Sequence, residues 1–212
     1  MREKVIGFPL DAVVLLWLRP DALAFCRAPP GRTSGATIIG RMRVQSVAAA
    51  LCLAACSPTF NWRAVRAEAV PLKATLPCKP DKAARTVPMA GRQVELKVLG
   101  CEAGGATFAI LAADIGDPLR AGEVLAQWRV ATLANMRSAP ASAQDQPFLP
   151  TGAMALPQSL RVTANGQRAD GSKVESQAAY FARGSQVVQA VVYADKLPGE
   201  AVDSFFAGLA FE

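Results

Sequence analysis

Groups able to do chemistry are few in this chain, and their types already exclude a good deal. There are five cysteines and no histidine. Without histidine there is no Ser-His-Asp triad, no His general base and no ordinary His-containing zinc site. Ser-Lys and Asp/Glu chemistry stays open. Cys78 and Cys101 are too far apart for a Cys-x-x-Cys redox centre and lack further soft ligands for a metal. Asp114 and Asp117 flank Gly116, with Glu102 near in sequence, and paired carboxylates can act as acid and base. The plainer reading makes Asp117 a helix N-cap and Asp114 a turn residue. No Gly-x-Ser-x-Gly elbow, P-loop or Rossmann glycine run is present, and Ser185 after Gly184 reads as turn chemistry. Trp62, Trp128 and Tyr180 could line an apolar ligand pocket, although residues of these types are more often core, the reading adopted for Trp128. Arg161, Arg168, Lys173 and Arg183 read as a solvated face rather than a binding surface. Nothing in the pattern asks for a cofactor, a metal or a nucleic acid.

The remaining cysteines direct attention to residues 42–56. Arg41 and Arg43 flank Met42, the run 44–55 carries no charge, and it closes on Leu53-Ala54-Ala55-Cys56 followed by Ser57-Pro58. A basic start, a short apolar run and small residues at the cut are the parts of a secretory signal. The run is too short to span a bilayer core of about 30 Å. Its last four residues resemble the lipobox of bacterial lipoproteins: leucine, two small residues, then cysteine. That resemblance implies cleavage between Ala55 and Cys56, a diacylglyceryl group on the Cys56 sulfur and acylation of the new amino terminus. Two or more acyl chains make a lasting anchor where one does not. Serine rather than aspartate at position 57 favours, by the same resemblance, the outer membrane. The competing reading of residues 44–55 is an alanine-rich buried helix.

This places translation at Met42 and makes residues 1–41 an artefact of start-codon choice; a long leader carrying Cys26 is the alternative. Residues 42–55 are then the signal, 56–67 the lipidated terminus and tether, and 68–212 one globular domain. The first 55 residues hold seven Lys/Arg and three Asp/Glu, so most of the formal charge of +6 leaves with them and the basic balance says little about partners. Export also sets the redox compartment. In an oxidising envelope Cys78 and Cys101 are expected to form a disulfide, the alternative being two free thiols.

Elements follow from periodicity. Leu72, Ala74 and Leu76 alternate like a half-buried strand, with Pro77 and Pro80 ending it; Val94, Leu96 and Val98 do the same more clearly. Residues 107–112 form its hairpin partner beyond Gly104-Gly105. Asp117-Pro118 opens a helix whose inward face is Ala121, Val124, Leu125, Trp128, Thr132 and Leu133, and which fails near Pro140. Residues 139–158 read as a long surface loop. Strands follow at 160–164, 174–182 and 186–193, with turns at Asn165-Gly166, Asp170-Gly171 and residues 183–185. Residues 199–209 close the chain as a helix with Val202, Phe205, Phe206 and Leu209 inward. Residues 62–69 fit either a short strand or a helical turn.

The segments Leu76-Pro77-Cys78-Lys79-Pro80 and Glu200-Ala201-Val202-Asp203-Ser204-Phe205-Phe206, with the strand through Tyr193, resemble small envelope domains of the PsbP-like type over residues 68–211. The resemblance implies an α+β fold: an antiparallel sheet with a long central helix and a C-terminal helix packed on it. The mature chain also looks like uncharacterised proteobacterial lipoproteins. The expected function is that of a membrane-anchored, periplasm-facing envelope lipoprotein without catalysis, serving structure, assembly or protein interaction. The alternative is a small-ligand carrier or sensor with a pocket between sheet and helix.

Overall fold

The computed structural model describes residues 59–67 and 70–212, so the lipobox, Ala55 and Cys56 lie outside the described residues. The body is α+β with a mostly antiparallel architecture of two sheets and two helices. Strands β1 (Arg63–Ala67), β2 (Leu72–Leu76) and β10 (Ala210–Phe211) form a three-stranded sheet in the order β1-β2-β10. Seven strands make the large sheet in the order β3-β4-β5-β9-β8-β7-β6. These are β3 (Asp81–Met89), β4 (Arg92–Ala103), β5 (Ala106–Asp114), β6 (Gln144–Pro147), β7 (Leu160–Gln167), β8 (Lys173–Arg183) and β9 (Gln186–Ala194).

Side chains alternate across the large sheet, so each face builds its own core. Phe108, Ile110, Phe181, Val188, Ala190 and Val192 point to one face. There β2 supplies Leu72, Ala74 and Leu76, and helix α2 (Gly199–Ala207) supplies Val202, Phe205 and Phe206. The Phe108 and Phe205 rings meet edge-on at 5.5 Å, an arrangement their quadrupoles favour. On the opposite face Leu96, Val98, Leu111, Ala113, Tyr180 and Val187 pack beneath helix α1 (Ala121–Asn135) through Val124, Leu125 and Trp128. The molecule therefore has three layers: α1, the large sheet, then the small sheet with α2. The expected long central helix is instead a 15-residue outer layer that buries one face on the sheet and leaves Val130 exposed on the other.

Three further expectations change. Arg63–Ala67 pairs in register with β2, so strand structure begins before residue 68. The stretch 139–158 is not all loop, because Gln144–Pro147 adds the edge strand β6 through Gln144↔Thr163 to Pro147↔Leu160. Asn165-Gly166 is no turn: β7 runs straight through it, and the turn falls at residues 168–172, with Arg168 N donating to Ser172 O and Gly171 N to Arg168 O. The glycine serves close approach instead. A Cβ at Gly166 would lie 2.3 Å from the Met136 carbonyl oxygen, which the Gln167 N–H meets at 2.7 Å.

Cys78 and Cys101 are disulfide-bonded, with Cα atoms 5.9 Å apart. The bond ties the exit of β2 to β4, and Cys101 is buried in the core beneath the small sheet.

Candidate functional site

Trp128 lies in the core, as read from the sequence, and the alternative of an aromatic pocket with Trp62 and Tyr180 is not assembled. Trp128 and Tyr180 are both buried in the core under α1, whereas Trp62 sits on the other side of the sheet, 37% exposed, its ring 6.1 Å from Phe60. The separation is topological. Trp62 directly precedes β1, which belongs to the layer opposite α1.

What joins α1 to the sheet is a buried polar link. Gln189 Nε2 donates to Thr132 Oγ1 at 2.9 Å and to the Tyr180 hydroxyl at 3.1 Å, and the Thr132 hydroxyl donates to Trp128 O. Burial drives the Tyr180 hydroxyl upward, to about 12, and pushes Tyr193 upward too. These are the chain's two tyrosines. The unfolded chain releases its tyrosine protons from about pH 10 while the native state holds them. The contribution is therefore complete below pH 10 and is lost as pH rises through about 12 for Tyr180. An alkaline titration followed by phenolate absorbance should show no native-state step near pH 10. Absorbance should rise only as the domain unfolds, and a free step near pH 10 in folded protein would contradict the packing of both rings.

The carboxylates build a loop rather than an acid–base pair. Asp114 Oδ1 accepts from Gly116 N at 2.8 Å, and Asp117 Oδ1 accepts from Leu119 N at 3.0 Å. The Ser185 hydroxyl, then the Gly116 N–H, hold the Asp114 carboxyl below the usual carboxylate range, so it is ionised and no proton donor near neutral pH. Arg92 Nη1 donates to Ile115 O at 3.4 Å and Arg120 Nη1 to Ala90 O. Arg120 also pairs with Glu123 at 3.1 Å, and Glu102 accepts from Thr107 at 3.4 Å. Asp117→Ala removes the cap and should cost about 1 kcal/mol in chemical denaturation. At the loop's apex Leu119 is 93% exposed.

The arginines of the last strands are braces. Arg161 contacts Asp203 at 2.8 Å and stacks over Phe206 at 4.4 Å, and Arg168 pairs with Asp195 at 2.7 Å. Arg183 donates to the Glu212 backbone carbonyl.

Residues missed by pattern reading line a groove of about 280 Å³ at the β3–β4–β5 corner, beside the end of β1. Leu99, Ile110 and Ala112 form its floor and Lys82 and Lys97 flank it. Register places the lysines there: Lys82 faces Leu99 and Lys97 faces Ala112, so all four share one face. Lys97 Nζ stands 3.6 Å from Glu95. Only β3 could have flagged the groove, and its Asp-Lys-Ala-Ala start carries no strand alternation. An apolar floor flanked by two lysine side chains suits a small anion with an apolar body.

Among the described residues, no group of three or more His, Cys, Asp or Glu side chains could hold a metal ion, and no helix is long and apolar enough to cross a membrane. No family model matches the chain, and no curated protein matches it.

Proposed function

We propose that this chain is a lipid-anchored protein of the bacterial cell envelope, carried by acylated Cys56. Its non-catalytic, periplasm-facing domain serves structure, assembly or protein interaction, and outer-membrane placement and a PsbP-like relationship belong to the same reading. The Cys78–Cys101 disulfide carries it, because such bonds persist in oxidising compartments and are rare in a reducing cytosol. The Leu119 loop supports the interaction role. A leucine held in water on a loop fastened by Asp114, Asp117, Arg92 and Arg120 has little order left to lose when a partner covers it.

Intact mass and detergent partitioning, on protein made in a Gram-negative host beside Cys56→Ser, test the anchor. A triacylated species starting at Cys56 is expected, and the variant should leave the detergent phase. An unlipidated chain still carrying residues 1–55 would refute the anchor. A Leu119→Ser variant that melts like the parent yet loses its envelope cross-links would locate the partner contact.

The lysine-flanked groove favours a second reading, carriage of a small amphiphilic anion. Decanoate should then raise the melting temperature with concentration while decanol does not, since a ligand bound only by the native state stabilises it. Equal responses, or none, would reject it.

A further inference from the structure

The path by which the chain enters the domain is fixed from its first described residues. Phe60 is half-buried against the core and lies across the β4–β5 turn. A Cβ at Gly104, where φ is +59°, would come 2.6 Å from the Phe60 ring and 3.4 Å from Thr59 Cγ2. Asn61 N donates to Pro77 O at 2.7 Å, one residue from the disulfide, and β1 begins at Arg63. Thr59 is only three residues beyond Cys56. Three Cα steps of 3.8 Å reach about 11 Å at full extension. The strand β4, by contrast, runs from this end to the opposite one over 12 residues, on the order of 35–40 Å.

Resting on the lipid-anchored reading above, we propose that the β4–β5 turn end of the domain is a membrane-contacting surface. Trp62 sits in the headgroup layer of the bilayer that holds Cys56. The tether is too short for the opposite end, with Ala90-Gly91 and Leu119, to turn toward the bilayer. Tryptophan is a side chain that settles at this depth, its ring apolar and its N–H wet. The partner is the phospholipid surface itself, and recognition comes from the aromatic ring. Leu119 then points away from the bilayer, where a partner in the periplasm can reach it.

Tryptophan fluorescence tests this on the lipidated protein, because Trp62 is exposed and Trp128 is buried. The full-length gene product, matured in a Gram-negative host, is reconstituted into phosphatidylethanolamine–phosphatidylglycerol vesicles with or without acyl chains brominated near the headgroup. Bromine should quench the emission of the unaltered protein and shift the remainder toward that of Trp128, and Trp62→Phe should abolish the response. Acylated protein that partitions into vesicles but shows equal emission with both lipids, and stays open to aqueous acrylamide, overturns the orientation and leaves the anchor standing. Protein whose mass lacks the acyl groups overturns the anchor, and the orientation falls with it.

Discussion

Replacing Gly166 with alanine should destabilise the domain by about 3 kcal/mol, although the residue lies within a strand, next to its end, where alanine is the better former. The added Cβ would stand 2.3 Å from the Met136 carbonyl oxygen, 3.1 Å from its carbonyl carbon and 2.8 Å from its Cβ. Neither partner can yield cheaply. Ser138 N–H to Leu133 O at 2.9 Å and Arg137 N–H to Ala134 O at 3.0 Å fix the end of α1, while Gly166 is held in register opposite Val174 of β8. Overpacking of this kind costs about 1–3 kcal/mol, and losing the Gln167–Met136 bond adds about 1 kcal/mol. The small gain from removing a strand glycine, about 0.5 kcal/mol, does not offset it. In a domain of this size the melting temperature should fall by roughly 10 °C. Gly199→Ala is the control: nothing lies within 4 Å of its Cβ position, at the start of α2, and it should be neutral or slightly stabilising. If Gly166→Ala melts with the parent, β7 and the end of α1 are not in contact.

That glycine also shows where sequence reading stops. Asn165-Gly166 carries a strong hairpin signal, yet tertiary contact with Met136 decides its conformation, and no local pattern reports the position of a helix end. Elements with one buried face were legible for the converse reason. In β2, β4 and α1 the alternating or helical apolar positions are the ones the structure buries, down to Thr132 in the helix. Edge strands hide their period. In β3 only Val87 and Met89 are buried, and Pro88 sits between them, tolerable because no further strand of the sheet lies outside β3. All four residues of β6 are exposed, so backbone pairing alone defines it. The same blindness cost the groove, whose floor comes from β4 and β5 but whose rim needs Lys82 on the unrecognised edge. It also left Trp62 beside Trp128 on paper. Composition and spacing give residue types, whereas the face each residue joins depends on sheet order, which pairs β5 with β9 across 80 residues of chain.

Reducing the Cys78–Cys101 bond, or replacing both residues with alanine, should cost about 3 kcal/mol on the chain-entropy account, given a sequence separation of 23. The loss should not be uniform. The closed loop contains the whole of β3 and most of β4, which is the hairpin at the sheet's weak edge, and the first four residues of β3 are all exposed. With so little apolar contact, that end of β3 is held by its ladder to β4 from Asp81↔Gly100 onward and by the covalent link just beyond it. Reduction should therefore open β3 locally before the sheet unfolds, as weakly packed edges do. Amide exchange read residue by residue should speed up most over residues 81–84. It should also speed up at Asn61, whose N–H bonds to Pro77 beside the disulfide. Val188, Ala190 and Val192 in β9, paired on both sides and buried, should keep protection up to the lowered global stability. Equal melting of the oxidised and reduced forms would deny the disulfide a structural part. A loss spread evenly over all strands would mean that the bond acts only through the unfolded chain and not by stapling the edge.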